Sequence, residues 1–137
     1  AELVRRRGLA RQPLEALIDA RYRELDPSAM SDDEARVWSR ATGGALAVTV
    51  AGLLVPGVDA EAARAGGAVW ILARRLGGES WKQEVIASAL ADARREARRL
   101  PARAFPAVVH AALVGKPPTS ELRKRARLVW AVARGRI

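Results

Sequence analysis

The sequence predicts an all-α protein, a bundle of about six helices, on three observations. Apolar residues recur at helical spacing through nearly every segment. Serine, aspartate, proline and glycine punctuate those segments at the positions where helices start and stop. Half of the 137 residues are hydrophobic, yet only six are aromatic and much of the rest is alanine, a composition for closely packed helices rather than sheets of large side chains. The length suits one domain with one core, and we take residues 1–137 as a single all-α domain.

The first helix is expected over Pro13 to Leu25. Proline is suited to a first helical turn, and Leu14, Leu17, Ile18, Tyr22 and Leu25 share a face before Pro27 ends the run. Ser31-Asp32-Asp33-Glu34 reads as a capping box opening a second helix to about Leu54. Its second half is apolar nearly all round and is expected at the centre of the fold. Gly43-Gly44 marks a close helix contact or a kink.

Pro56-Gly57 is a turn, and Asp59 caps a third helix to Leu76 with Ala62, Ala65, Gly66, Val69, Trp70, Ala73 and Leu76 inward. Gly77-Gly78 stops it. Ser80 to Gln83 forms another capping box, and the fourth helix runs to about Leu100, with Val85, Ile86, Ala89, Leu90, Ala93 and Ala97 inward. Pro101 breaks it. A fifth helix is expected over Pro106 to Val114. A sixth, capped by Thr119 or Ser120, is expected to turn Leu122, Ala126, Val129, Trp130 and Ala133 inward.

Charge divides the chain. Residues 91–137 hold twelve Lys/Arg against three Asp/Glu and so carry the whole net charge of +9, while residues 1–90 balance. Arg94, Arg95, Arg98 and Arg99 form one basic cluster, and Arg123, Lys124, Arg125 and Arg127 a second. Such faces suit phosphate, on a nucleic acid or an anionic membrane. The alternative is a solvated face that maintains solubility. Aromatics and glycines are not interleaved with these charges, which weighs against nucleic acid. Twenty-one of the 24 basic residues are arginine, which a GC-rich coding sequence explains as readily as phosphate recognition.

Cysteine is absent, excluding disulfides, thiolate metal sites and cysteine nucleophiles. The single histidine, His110, lies among apolar residues and reads as a core or boundary residue. Glu15 and Asp19 stand one turn apart and could share Mg2+, although Asp19 and Arg23 also stand at ion-pair spacing. Neither a nucleophile elbow nor a phosphate-cradling glycine loop is found. No site is assigned as catalytic or metal-binding. The run Ala45 to Pro56 is well short of the ~20 residues that span a bilayer and reads as a buried helix. No secretory signal opens the chain, and its first residue is not methionine.

Four segments, in order, resemble the C-terminal half of the squalene/phytoene synthase family, and in particular its small bacterial members. Pro13 to Asp26 looks like the mid-domain helix with an Arg-x-x-Asp/Glu-Leu signature. Ala41-Thr42-Gly43-Gly44 resembles the following core helix. Gly67-Ala68-Val69-Trp70 with Arg74-Arg75-Leu76 is similar to the helix that leads into the second aspartate-rich motif. Ala93-Arg94 through Leu113 resembles the closing helices. The resemblance implies an isoprenoid-synthase-like bundle, or a reduced version, as the C-terminal part of a longer domain. Active members resembling this family hold Mg2+ on two aspartate-rich motifs that grip diphosphates. Here Leu76-Gly77-Gly78-Glu79-Ser80 supplies no aspartate pair.

The expectation is therefore a catalytically degenerate relative: a cytoplasmic scaffold or assembly factor, peripheral to the inner membrane, with no cofactor. The resemblance implies a prenyl lipid as ligand, with Tyr22, Val48, Gly52, Gly66 and Trp70 as candidates to line its groove. A half-bundle would expose apolar faces, so a protein partner or homodimer is expected. Two alternatives stand beside this reading. One is the C-terminal piece of a Mg2+-dependent prenyltransferase condensing isoprenoid diphosphates head to head. The other is a basic helical nucleic-acid-binding protein.

Overall fold

A computed structural model describes residues 11–26, 30–76, 83–115 and 120–137. Among them six α-helices and no strand occur: α1 (Arg11–Tyr22), α2 (Asp32–Ser39), α3 (Ala45–Leu54), α4 (Ala60–Leu76), α5 (Gln83–Ala97) and α6 (Glu121–Arg134). The all-α prediction holds. The Gly77-Gly78 stop and the Ser80 capping box lie outside the described residues.

Local chemistry explains most boundaries. A 3-10 turn, Arg23–Leu25, closes α1, and Asp26 is extended, as the residue before a proline must be. The Ser31 hydroxyl accepts from the Glu34 amide while the Glu34 carboxylate accepts from the Ser31 amide at 2.8 Å, completing the capping box that starts α2. Asp59 accepts from the amides of Glu61 and Ala62 at 3.0 and 3.1 Å, and Ser120 accepts from the Arg123 amide. At the far end of α6, Gly135 is left-handed at φ 59°, and the Arg136 amide returns to the Ala131 carbonyl, a glycine-dependent stop.

α2 and α3 are joined without a break by a π-helical turn, Arg40–Gly44. Its wide turn carries Gly43 and Gly44 onto α4, and Arg40 pairs there with Glu61. The Thr42 hydroxyl donates to the Trp38 carbonyl at 2.8 Å. α4 is the central strut, packed against α2, the π turn, α3 and α5. One core cluster centres on Phe105 and Val108 with Ala47, Ala51, Ala62 and Ala63. The other gathers Trp38, Val69, Leu72, Ile86 and Leu90.

Four sequence expectations are corrected. The expected fifth α-helix is instead two 3-10 segments, Ala102–Ala107 and Val109–Leu113. Pro106 falls inside the first segment instead of opening a helix, Val108 at φ −118° and ψ 0° interrupts the run, and the chain closes through three-residue bonds from the Val108 amide to the Phe105 carbonyl and from the Ala111 amide to the Val108 carbonyl, both at 3.0 Å, the pattern of 3-10 turns. α3 does not sit centrally on all sides. It turns Ala47 and Ala51 onto α4 and leaves Leu46, Leu53 and Leu54 about half exposed, because close approach to α4 admits only small side chains. α6 is rotated relative to expectation. Leu122, Val129 and Trp130 are exposed by 78, 69 and 58 %, Ala126 and Ala133 are exposed as well, and Ala131 with Leu128 and Val132 packs inward. The helix carries apolar residues on two sides, and the narrower side fits against the 3-10 segments. On α1 the expected stripe is only partly covered: Leu14 and Leu17 are half-buried, while Ile18, Tyr22 and Leu25 are exposed.

Candidate functional site

Three places bring the candidate residues together. The first is the outer face of α6. At 100° per residue, Leu122, Ala126, Val129, Trp130 and Ala133 occupy one arc of roughly 100°. Arg123, Arg127 and Arg134 follow on one side of that arc and Arg125 on the other. The Arg134 guanidinium lies over the Trp130 ring, 4.0 Å from its centroid, a cation–π contact that fixes the indole on the surface. Lys124, on the inner half, pairs with Glu121 at 2.5 Å.

The second is the basic side of α5. All four predicted arginines are exposed, but their electrostatics differ. Arg95 pairs with Asp92 at 2.6 Å, and Arg99 with both Asp59 and Glu96 at 2.6 Å. Neither Arg94 nor Arg98 pairs with an acidic side chain among the described residues, and Arg94 Nε donates instead to an oxygen of Ile137, the last residue of the chain, at 3.1 Å. Both arginines line an open cleft of about 490 Å3 with Gly135, Arg136 and Ile137. Arg136 escaped sequence reasoning because it lies beyond the last helix; the Arg-Gly-Arg spelling at 134–136 was its only signal.

The third is an apolar groove of about 330 Å3 between α3, α4 and the first 3-10 segment. Of the five groove candidates, it contains Gly66 and Trp70. Leu46, Val50, Ile71 and His110 line it as well. Trp70 is half-buried, with the Arg74 guanidinium 5.7 Å from its ring centroid and the His110 ring, tilted by 38°, also 5.7 Å away. His110 is exposed, so it is a surface residue beside an indole rather than a core one. Tyr22 and Gly52 are exposed and Val48 is half-buried against the Phe105 cluster; none of the three lines the groove.

Several carboxylates are held in structural pairs. Glu61 accepts from Arg64 and Arg40, and these hydrogen bonds hold its carboxyl below the usual range. The Ser31 amide does the same for Glu34. Arg23 pairs with Asp26 at 3.1 Å. Among the described residues no three His, Cys, Asp or Glu side chains gather as a metal-binding set. The continuous helix Asp32–Leu54 has the length and apolar composition of a membrane span. Its buried residues Ala35, Trp38, Thr42, Gly43, Ala47 and Ala51 also suit the core helix of a folded bundle.

Compared with protein-family models, curated proteins and solved structures, the chain finds no match. The likeness to squalene/phytoene synthases therefore rests on the sequence motifs alone.

Proposed function

We propose that this chain is a binding protein that docks on anionic membranes through the outer face of α6, acting there as a helical scaffold. One observation carries the reading: Leu122, Val129 and Trp130 are solvent-exposed on a helix whose arginines bracket them on both sides. An interfacial helix needs that arrangement, with apolar residues to enter the acyl boundary and cations level with the headgroups. Each apolar side chain contributes about 1.5–3 kcal/mol when fully buried, and each nearby Lys or Arg about 1 kcal/mol at an anionic surface. The inner side, built on Ala131, keeps the helix on the bundle while its outer side is free.

Sedimentation with lipid vesicles tests this. The protein is expected to pellet with phosphatidylglycerol-containing vesicles and not with phosphatidylcholine alone. Binding should weaken at 1 M salt, where the Debye length is ~3 Å. L122A and W130A are each expected to reduce it severalfold. Equal binding to neutral vesicles, indifference to both variants, or a dimer that W130A dissolves would overturn the reading.

The apolar groove favours a second reading, in which a single prenyl or acyl chain lies over Trp70 against Leu46 and Ile71. Calorimetric titration with farnesyl diphosphate separates its forms. Heat of binding in EDTA would support a lipid-holding groove. Binding that requires Mg2+ would instead bring the prenyltransferase alternative forward.

A further inference from the structure

We propose that the apolar groove over Trp70 takes a fatty acid, with its hydrocarbon chain against Leu46, Val50 and Ile71 and its carboxylate on Arg74. That the groove holds a single chain is the second reading above, on which the assignment of the charged end rests.

The space along α4 does not end at the indole. A second cavity of about 290 Å3 also has Trp70 in its wall, together with Arg74, Gln83, Ile86 and Val114. Gly66, Trp70 and Arg74 follow one another at four-residue steps, so they share a face of α4 and are spaced roughly 6 Å apart along its axis. Gly66 and Trp70 line the first cavity, and Trp70 and Arg74 line the second.

Polarity is uneven along that row. Every residue lining the first cavity is apolar or glycine except His110, which stands beside Trp70. The side chains able to hydrogen-bond an anion at the far end, Arg74 and Gln83, line the second. Among the described residues no acidic side chain lines either cavity. The Arg74 guanidinium is kept near the junction by the indole, 5.7 Å from its ring centroid, a cation–π contact. An apolar lining with a few polar groups at one end is the pattern of a small-molecule pocket.

This asymmetry selects the ligand. A peptide would carry amides into the apolar end, where each polar group left without a partner costs free energy; a hydrocarbon chain carries none. At the other end one guanidinium fork matches the two oxygens of one carboxylate, and the Gln83 amide is a further donor. A diphosphate would bring several charges to a single guanidinium, and among the described residues no acidic cluster stands by to hold a cation between them.

The test compares decanoate with decanol, the same chain without the charge, by calorimetric titration of the whole chain below the aggregation concentration of either. Decanoate is expected to bind about tenfold more tightly, the scale of a charge-assisted hydrogen bond. R74Q should erase that difference and leave decanol binding unchanged, whereas L46E should weaken both ligands. Arg74 and Leu46 are exposed, so both variants are expected to keep the native urea midpoint. In the native chain the Arg74 Nε–Hε NMR signal should shift with decanoate and stay put with decanol, a readout that needs no variant. Equal binding of the two ligands, a decanoate preference that survives R74Q, or an unmoved Arg74 signal would overturn the carboxylate assignment and leave the groove reading in place. Binding that L46E does not weaken would put the ligand elsewhere and overturn both. Absence of binding by either ligand would overturn the groove reading and the fatty-acid proposal with it.

Discussion

A Cβ atom added to Gly67 would lie 2.3 Å from the carbonyl oxygen of Gly43. The π turn and α4 therefore touch backbone to backbone, and any side chain at Gly67 must force them apart. G67A is expected to destabilise the fold by about 3 kcal/mol, at the upper end of overpacking, despite alanine's better helix propensity. Gly52 gives the opposite sign. It lies in the last turn of α3 with nothing within 4 Å of an added Cβ, so G52A should stabilise by up to about 0.5–1 kcal/mol. Urea denaturation of both variants checks the pair.

Phe105 is fully buried in a 3-10 segment, on a stretch with poor regular hydrogen bonding. F105A is expected to cost about 3–5 kcal/mol. If the 3-10 segments were a loosely attached loop instead, the loss in the urea midpoint would be slight.

Trp130 should behave in the contrary way. Its ring is more than half exposed and touches Arg134, so W130A is expected to change stability by less than about 0.5 kcal/mol while vesicle binding falls. A large stability loss would place the indole in the core and remove it from any membrane face.

Acid should weaken the fold through Glu61. Its carboxyl is held low in the folded state, first by Arg64 and then by Arg40. A lowered folded pKa contributes stability above the unfolded value and loses it as pH falls through the folded value. Stability is thus expected to be level from pH 7 down to the ordinary glutamate range near about 4.3 and to decline below it. E61Q should make that acid limb shallower. Because Glu61 is largely solvent-exposed, the effect is small, and pH-dependent urea midpoints would resolve it.

The helical framework was legible wherever a local device sets a boundary. The Ser31–Glu34 box, the Asp59 cap and the Gly43-Gly44 contact are written in a few neighbouring residues. What periodicity could not supply was the choice between two apolar sides of one helix. On α6 the stripe with the larger side chains looked like the core face, but Ala131, Leu128 and Val132 fit the shallow surface offered by the 3-10 segments. The same limit applies to α3, where small Ala47 rather than Leu46 meets Gly67. The two halves of the basic α5 face could not be told apart either, because pairing of Arg99 with Asp59 is a tertiary event. Arg136 joins Arg94 only through the reversal at Gly135.

The π turn also bears on chain length. Its wide turn takes up one extra residue between α2 and α3, so one residue fewer between Arg40 and Gly44 would let it tighten to ordinary α-helix with α3 keeping its face on α4. One residue fewer at Ala45 or Leu46 has no such outlet, because each residue removed from an α-helix rotates everything beyond it by about 100°. Val48 and Gly52 would replace Ala47 and Ala51 against α4. A deletion there would be felt along the whole later half of the helix, whereas one in the Val55–Asp59 connection would alter only a loop-closure term that grows slowly with length. The spacing from Gly44 to Ala47 is thus as tightly specified as the identity of either residue.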